Sequence, residues 1–335
     1  MVTFLTGATG FIGGAILDRL CQTGGRVLAL VRRDEAARQV ALKGAQPVLG
    51  DLLQPETYRA ALHQADCVIH AAGVNAFCLN DPRPLYAVNV EGTRSLLEAA
   101  GQAGVTRIVY TSSALTIGEA RGQVAHEETP HRGSFLSHYE RSKYEGEQVA
   151  LALARQGLPV VILNPSSAQG PGRVTGSARI FLDYLNGRLP VLCGDRFSLV
   201  YVDDCVAAHL HAAEMGQAGQ RYLVSGPSVS AGELLETLEA VTGLTQRPWR
   251  LPPGLALAAG AAGEWEGRLR GKRPRLCRDF IRTLLHGARY DSGKAERELK
   301  LTFTPLREMV LRTVTWYARA GHVKRPLPRL APPVS

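Results

Sequence analysis

The sequence lacks the features that would place it in a membrane or direct it out of the cell. No apolar run reaches the roughly 18 residues that a membrane-spanning helix needs, and the longest candidate, 251–263, is interrupted by proline and glycine. The first seven residues have no basic region ahead of their apolar stretch, which ends at Gly7, so they do not resemble a signal peptide. We therefore expect a cytoplasmic protein.

Cysteine and histidine are few and scattered. The six cysteines form no Cys-x-x-Cys pair, and the nine histidines are dispersed apart from His209 and His211, which we interpret as helix-surface residues. A metal site needs clustered ligands, and a disulfide framework needs an oxidising compartment. The sequence therefore predicts no metal site and six reduced thiols.

Aromatic residues make up only 6% of the 335 residues, but 45% of the chain is hydrophobic and 21% is charged. This composition is typical of a globular protein with a large core and excludes disordered and fibrous classes. The length corresponds to roughly two domains.

The positive charge is unevenly distributed. The net charge is +9, yet residues 245–335 hold 19 basic and 7 acidic side chains, which leaves 20 basic and 23 acidic ones in residues 1–244. No zinc finger, interleaved aromatics or RNA-binding signature accompanies the basic region, so we expect no nucleic-acid partner. A solvated helix face is the favoured explanation. Association of 254–278 with anionic lipid is the alternative, disfavoured because alanine and glycine bury little apolar area.

Aliphatic strands alternate with helices through the first half of the chain. The predicted strands are Val2–Thr6, Arg26–Val31, Gln46–Leu49, Cys67–His70, Arg107–Tyr110 and Val160–Leu163. The helices predicted between them are Phe11–Gln22, Asp34–Leu42, one from Pro55, Leu85–Ala103 and His138–Gln156. Because parallel strands need crossover helices, this order predicts an α/β fold with a doubly wound parallel sheet, the Rossmann arrangement.

Beyond Asn164 the pattern loosens into a Gly-, Pro- and Ser-rich loop, 165–176. A strand at 199–202, a helix at 203–215 and a strand at 222–224 are predicted to return the chain to the sheet. We therefore assign 1–165 plus about 198–225 to the Rossmann domain. About 166–197 plus 226–325 would form a smaller, discontinuous, mostly helical substrate lobe, and 326–335 a Pro-rich tail.

A glycine-rich turn joins the first strand to the first helix, and such turns cradle the pyrophosphate of a dinucleotide at the helix N-terminus. Its G-x-x-G-x-x-G pattern directly follows a strand, which makes it far more specific than an isolated glycine triplet. The cofactor-binding residues predicted here are Gly7, Thr9, Gly10, Phe11, Ile12 and Gly13.

The end of the second strand indicates which dinucleotide binds. An acidic residue there would bind the ribose 2′-hydroxyl of NAD(H), whereas arginine accommodates the 2′-phosphate of NADP(H). Arg32 and Arg33 occupy this place, so NADP(H) is preferred and NAD(H) remains possible. Asp51 and Leu52 would face the adenine. Three small residues after the fourth strand would pack against the cofactor, namely Ala71, Ala72 and Gly73.

Tyr139 and Lys143 lie four residues apart on a predicted helix and so share one face. A neighbouring ammonium lowers the pKa of a phenol, which makes the pair a candidate general acid/base. Hydroxyls at the end of the fifth strand could bind a substrate carbonyl, and we include Ser113 and, on the preceding helix, Asn89 as catalytic candidates. A second Tyr-x-x-x-Lys copy starts at Tyr290, where Asp291-Ser292-Gly293 indicates a turn, and we interpret it as structural.

Taken together, these motifs resemble the extended short-chain dehydrogenase/reductase family, of the NAD(P)-dependent epimerase/dehydratase type. The matching segments are TGATGFIG (6–13), GDL (50–52), HAAG (70–73), NVEGT (89–93), YTSSA (110–114), YERSK (139–143), NPSSAQGPG (164–172) and YVDD (201–204). Within the family the sequence is most similar to the dihydroflavonol-4-reductase-like branch, through Val31-Arg32, YDSGKAERELKL (290–301) and Trp316-Tyr317.

The resemblance implies roles for individual residues. Tyr139 would transfer the proton, and Lys143 would lower the phenol pKa and bind the nicotinamide ribose. Ser113 would orient the substrate oxygen. The remaining cofactor contacts implied are Thr111, Ser112, Pro165 and Ser167. The family also implies a homodimer formed by the helices at 84–103 and 138–156.

Three functions remain open. The favoured one is an NADP(H)-dependent oxidoreductase acting on a carbonyl or secondary alcohol of a small organic molecule. A nucleotide-sugar epimerase with tightly held NAD is the alternative, and a non-catalytic dinucleotide-binding protein is a remote one. Dehydration is disfavoured because Ala114-Leu115 replaces the Asp-Glu pair of the family's dehydratases.

Overall fold

A computed structural model describes residues 1–274 and 276–330, so residues 331–335 of the predicted tail lie outside it. Its central sheet contains β1 (Val2–Thr6), β2 (Arg26–Val31), β3 (Gln46–Leu49), β4 (Cys67–His70), β5 (Arg107–Thr111), β6 (Val160–Pro165) and β7 (Arg221–Val224). Neighbouring strands pair in parallel, in the order β7-β6-β5-β4-β1-β2-β3. The predicted doubly wound α/β fold is confirmed.

Helices cover both faces of the sheet and build the rest of the molecule. They are α1 (Phe11–Gln22), α2 (Asp34–Leu42), α3 (Arg59–Leu62), α4 (Arg83–Tyr86), α5 (Thr93–Gln102), α6 (His138–Arg155), α7 (Ala178–Leu185), α8 (Val202–Met215), α9 (Ala231–Thr242), α10 (Pro253–Leu269), α11 (Arg278–His286), α12 (Gly293–Glu298) and α13 (Leu306–Arg319). Short 3₁₀ turns occur at Pro55–Thr57 and Ala114–Ile117. Across residues 1–274 and 276–330, none of the helices has the length and apolar content to cross a bilayer.

The strand order reverses between β1 and β4. Successive strands are added outward from β1 to β3 on one side and from β4 to β7 on the other. The crevice at such a reversal, outside the carboxyl ends of the strands, is where open α/β sheets bind ligands. The residues that follow β1, β4 and β5 are therefore brought together by topology.

The helix predicted over Leu85–Ala103 is interrupted. Between α4 and α5 the chain forms a π-helical segment, Ala87–Gly92. A Cβ at Gly146 of α6 would lie 2.1 Å from the carbonyl oxygen of Asn89, so the wider turn contacts α6 at backbone distance. Such π segments occur mostly as single turns inside α-helices and frequently at functional sites. Hydrophobic periodicity does not detect them.

The strand predicted at 199–202 does not join the main sheet. It is the end of a longer strand, Arg196–Tyr201, which pairs with Ser167–Gln169 and Ser228–Ser230 in a separate three-stranded sheet. Only β7 returns to the main sheet. Two-residue strand pairs, not predicted, join Val124–Ala125 to Arg289–Tyr290 and Val191–Leu192 to Trp249–Arg250.

We call α7, α9, α10, α11 and α13 the second lobe. Part of it shares an apolar core with the strand at 196–201. Side chains from α7, α9 and α13 pack together, and their largest fully buried members are Phe181, Tyr184 and Tyr317. Its two remaining long helices, α10 and α11, pack against each other.

The prediction of six reduced thiols is wrong for one pair. Cys78, in the loop after β4, forms a disulfide with Cys277 at the start of α11, with the two Cα atoms 5.4 Å apart. Arg273 Nε also donates a hydrogen bond to the Cys78 carbonyl at 2.8 Å. The two cysteines are 199 residues apart in sequence, so spacing alone could not pair them.

Reduction of this bond should destabilise the protein. Unfolded, non-reduced protein should expose four titratable thiols, Cys21, Cys67, Cys193 and Cys205, rather than six. Because the bond closes a long loop in the unfolded chain, Cys78→Ser should lower the free energy of unfolding by about 2–4 kcal/mol in urea denaturation. Six titratable thiols without reductant would contradict the pairing.

Candidate active site

The glycine turn after β1 requires glycine at two of its positions. Gly7 has φ +77°, and a Cβ there would lie 2.6 Å from the backbone of Ala71 and Ala72. A Cβ at Gly13 would lie 2.2 Å from the Gly7 carbonyl oxygen. Thr9 and Gly10 are exposed at the tip of the turn. The turn is therefore packed backbone to backbone, between β4 and the start of α1.

The N-terminus of α1 is open to a ligand. Gly10 is its N-cap, and no side chain within 1–274 or 276–330 caps the first turn. The free backbone N–H groups at such an end, together with the positive pole of the helix, bind phosphate. Phe11 and Ile12, both half-buried, flank this end of the helix.

Arg32 and Arg33 lie at the end of β2, where they were predicted. Both are exposed, and neither guanidinium has a side-chain hydrogen bond or ion pair in the described part of the chain. In the next loop, Asp51 accepts a hydrogen bond from the Leu53 N–H, and Leu52 is buried. A Cβ at Gly92 would lie 2.7 Å from Leu52, so the loop after β3 packs onto the π-helical segment.

A hydrogen-bonded chain joins β1 to α5 beneath the site. Thr6 Oγ1 lies 2.7 Å from His70 Nδ1, and His70 Nε2 lies 3.1 Å from Thr93 Oγ1. The Ala72 N–H donates to Thr6 Oγ1. Burial lowers the pKa of His70 to about 3, and the charge of Lys143 adds to this effect, so the imidazole is neutral. The chain fixes Ala71–Gly73 against the glycine turn.

Asn89 is buried on the π-helical segment and fully engaged. Its Oδ1 accepts from the Val74 N–H at 2.8 Å, while its Nδ2 donates to the Val74 carbonyl at 3.1 Å and to Ser142 Oγ at 2.9 Å. The side chain thus ties the loop after β4 to α6. These hydrogen bonds are those of a residue that positions the loop and the helix.

Helix α6 carries both residues of the Tyr-x-x-x-Lys motif. The Ser137 hydroxyl caps its start by accepting from the Glu140 N–H. Lys143 is buried, and its ammonium donates to the Thr111 carbonyl at 2.8 Å and to Tyr110 Oη at 3.3 Å. Burial lowers the pKa of Lys143 to about 8, a shift that the nearby Glu147 carboxylate opposes.

Tyr139 differs from the expectation in one respect. Its pKa is raised rather than lowered, because burial of the phenol outweighs the other effects. A hydrogen bond with Ser113 and the charge of Arg173 act in the opposite direction. The ammonium of Lys143 donates to Thr111 and Tyr110 of β5 rather than to this phenol. Tyr139 is therefore a neutral phenol near pH 7, with Ser113 and Arg173 as its polar neighbours.

The three hydroxyls after β5 point in different directions. Thr111 Oγ1 lies 2.8 Å from His209 Nε2 of α8, and Ser112 Oγ donates to the buried Glu147 carboxylate at 2.5 Å. Ser113 Oγ accepts from the Leu115 N–H at 3.4 Å and faces Tyr139. The contact with Thr111 also shows that His209 is buried and not on the helix surface as predicted. Of the three hydroxyls, that of Ser113 lies beside the phenol.

The sequence interpretation missed Glu147, which lies one turn beyond Lys143. Its side chain is fully buried and accepts hydrogen bonds from Thr116 Oγ1 at 2.7 Å and Asn164 Nδ2 at 2.6 Å, besides that of Ser112. Arg221 of β7 forms an ion pair with it at 3.0 Å. Its position four residues after Lys143, on the same face of the helix, was the sequence feature that could have identified it.

Arg173 was also missed, although it directly follows Gly-Pro-Gly in the loop after β6. Its guanidinium lies 5.4 Å from the ring centre of Phe11 in the glycine turn and donates to the Ala168 carbonyl. Pro165 is buried at the end of β6, and Ser167 Oγ lies 2.8 Å from Ser177 Oγ. The loop therefore brings a cation between the glycine turn and Tyr139.

Aromatic contacts connect Tyr139 to helix α11 of the second lobe. The ring of Phe77, next to the disulfide, lies 5.0 Å from that of Tyr139 and 5.6 Å from that of Phe280 in α11. The second Tyr-x-x-x-Lys copy does not repeat this arrangement, and its Tyr290 packs against the cluster that contains Ala114 and Ile117, in the 3₁₀ turn after Ser113. Lys294 donates to Gln220 at 2.6 Å, and the Tyr290 hydroxyl is buried without a hydrogen-bond partner among the described residues.

Comparison with known proteins agrees with this geometry. The sequence model of the NAD dependent epimerase/dehydratase family matches residues 3–225. Sterol demethylase protein B of Methylococcus capsulatus is 33% identical over 96% of this chain and 100% of its own length. A Synechocystis protein of the dihydroflavonol 4-reductase type is 32% identical over 96% of both chains. The crystal structure of gox2253 superposes with a TM-score of 0.82 at 32% identity, covering 96% of this chain and 99% of that one.

The buried ammonium of Lys143 should make stability depend on alkaline pH. The folded-state pKa is about 8 and the ordinary value is 10.5, so between these values the unfolded chain binds a proton that the folded chain has lost. Stability contributed by this group therefore rises with pH across that window, by an amount on the order of 3 kcal/mol. Urea denaturation should show this rise in the wild type relative to Lys143→Met. A constant difference between the two proteins from pH 8 to 10.5 would contradict it.

Proposed function

We propose that this chain, a member of the NAD dependent epimerase/dehydratase family, is an NADPH-dependent reductase that converts a ketone of an apolar small molecule to a secondary alcohol. Its relatives are NAD(P)-dependent reductases and dehydrogenases of the extended short-chain type, and it is an enzyme of that type. The proposal adds the direction, the preferred cofactor and the class of substrate. The observation that carries it is the neutral Tyr139 phenol, which lies beside Ser113 and on the same helix as Lys143.

The residues around the glycine turn fit a dinucleotide. Backbone contacts at Gly7 and Gly13 leave no space for a Cβ, and the uncapped N-terminus of α1 offers N–H groups for a pyrophosphate. Lys143 uses two of its three N–H donors on Thr111 and Tyr110, so the third is available for the nicotinamide ribose. When bound, the cofactor supplies the hydride.

Tyr139 would donate the proton. Its raised pKa keeps the phenol protonated near pH 7, which suits the reduction of a carbonyl, since the substrate oxygen gains a proton as its carbon gains a hydride. Ser113 would hold the same oxygen by a second hydrogen bond. The charge of Arg173 lowers the pKa of Tyr139 and so stabilises the phenolate that proton donation leaves.

The substrate class follows from the apolar wall and from the relatives. Phe77 and Phe280 are the aromatic side chains that stand between Tyr139 and the second lobe. Relatives at 29–30% identity are named for ketone reduction beside long apolar groups: a ketoreductase of a farnesyl dihydroquinoline oxide from Stigmatella aurantiaca and a 2-alkyl-3-oxoalkanoate reductase from Shewanella oneidensis. An alkyl- or terpenoid-substituted ketone is therefore proposed.

The preference for NADPH rests on Arg32 and Arg33. Both are exposed at the end of β2 without an anionic partner in the described residues, and paired guanidiniums bind a phosphate bidentately. The homodimer and the cytoplasmic location expected from the family remain predictions.

Removal of the phenol hydroxyl should abolish turnover but not cofactor binding. Tyr139→Phe should lower kcat for NADPH-dependent reduction of a 2-alkyl-3-oxoalkanoate by at least about 100-fold, the usual contribution of a positioned acid. NADPH should still raise the melting temperature of the variant. Tyr290→Phe is the matched control, because it removes a buried, unpartnered hydroxyl from the second motif copy and should leave kcat unchanged.

Two results would contradict this assignment. Unchanged kcat in Tyr139→Phe would remove Tyr139 from the reaction. Purified protein that carries tightly bound NAD and does not oxidise added NADPH would favour the nucleotide-sugar epimerase alternative.

Charge reversal at the end of β2 should change the cofactor preference. Arg32→Glu and Arg33→Glu should each weaken NADPH binding by about tenfold or more, with little effect on NADH, because one charge-assisted contact to the 2′-phosphate is lost. Titration of intrinsic fluorescence with each cofactor measures this ratio independently of turnover. Arg38→Glu, the same change at an exposed position further along α2, is the control. An NADPH/NADH ratio that stays constant in both variants would refute the assignment.

A further inference from the structure

Helix α10 packs three of its glycines against the returning chain and exposes three large apolar side chains. A Cβ at Gly260 would lie 3.0 Å from the backbone of Cys277 and Arg278. At Gly263 and Gly267 it would lie 2.5 Å from the Leu276 carbonyl oxygen and 2.8 Å from Pro274. The glycines therefore let the returning chain pack against α10 at backbone distance.

The outward side of α10 carries an apolar stripe. Leu255, Ala258, Ala262, Trp265 and Leu269 follow one another at spacings of three and four residues, which places them on one face. Leu255 is 60% exposed, Trp265 66% and Leu269 67%. Surface helices ordinarily bury their large apolar residues, so this exposed stripe of three large apolar side chains on one helix is unusual.

A surplus of positive charge surrounds the C-terminal end of the stripe. Residues 250–282 contain 8 basic and 3 acidic side chains. Each acidic one is paired: Glu264 with Arg278, Glu266 with Arg270 and Asp279 with Arg282. Arg268 and Lys272 are exposed and form no ion pair within the described residues. Arg268 and Lys272 are therefore available to an anionic surface.

We propose that α10 docks on an anionic phospholipid surface, with its apolar stripe in the interface and Arg268 and Lys272 on the headgroups. A tryptophan and leucines on one side of a helix, with cations beside them, match the composition of helices that lie in the plane of a bilayer interface. Because Gly260, Gly263 and Gly267 face the returning chain, the large side chains of the stripe remain outside and supply most of its apolar area. The docking stands on this geometry and does not depend on the reaction.

The docking surface is also connected to the candidate active site. Its partner helix α11 carries Phe280, which contacts Phe77 beside Tyr139, and the disulfide joins the same two segments. The helix pair thus lies between the outer surface and Tyr139.

Co-sedimentation of the full-length protein with vesicles tests the proposal. The protein should bind vesicles of phosphatidylcholine and phosphatidylserine, bind vesicles of phosphatidylcholine alone far less, and dissociate as salt is added. Trp265→Gln combined with Leu269→Gln should reduce binding about tenfold or more without lowering the melting temperature, since both side chains are exposed. Arg268→Glu combined with Lys272→Glu should remove the dependence on phosphatidylserine.

Leu42→Gln is the matched control, because Leu42 is an 89% exposed leucine at the end of α2. This variant should bind as the wild type does. Failure of the wild type to sediment with phosphatidylserine vesicles would overturn the proposal, as would equal binding by the stripe variant. Sedimentation velocity showing a wild-type dimer that dissociates in the stripe variant would also overturn it, because the stripe would then bind a second copy of the chain.

Discussion

The buried carboxylate of Glu147 is the interaction on which the site depends. It lies on α6 and binds groups from the end of β5, the 3₁₀ turn after it, β6 and β7. A buried charge without partners is costly, whereas here both oxygens are satisfied. The network therefore fixes the position of α6 along the carboxyl edge of the sheet. Because Tyr139 and Lys143 are on the same helix, it also fixes where the phenol and the ammonium lie.

Helix α6 also contacts the π-helical segment, through close backbone packing rather than through charged side chains. Gly146 packs against the carbonyl of Asn89, and the side chain of Asn89 holds both backbone groups of Val74 in the loop after β4. That loop leads to Phe77 and Cys78, and so to the second lobe. Helix α6, the π-helical segment and the loop consequently form one packed unit that carries Tyr139.

The fold could be predicted from the sequence because a parallel sheet imposes strict alternation of apolar strands and helices. The glycine turn and the Tyr139–Lys143 pair were predictable for a similar reason, since their chemistry demands fixed residue types at fixed places. The rest depends on contacts distant in sequence. The Cys78–Cys277 pair, the π-helical segment around Asn89 and the approach of Arg173 to Tyr139 leave no local periodic signal. The direction of the Tyr139 pKa shift also required the structure, because it depends on how deeply the phenol is buried and where the ammonium of Lys143 is held.

The central claim is that Tyr139 and the glycine turn belong to one site. A crystal structure of the complex with NADPH tests it most directly. The account predicts a pyrophosphate over the N-terminus of α1, the nicotinamide ribose on Lys143, and the Tyr139 hydroxyl facing the open side of the nicotinamide ring, where a substrate oxygen would lie about 3 Å away. A nicotinamide ring bound away from Tyr139, or a Tyr139 hydroxyl turned from it, would contradict the account.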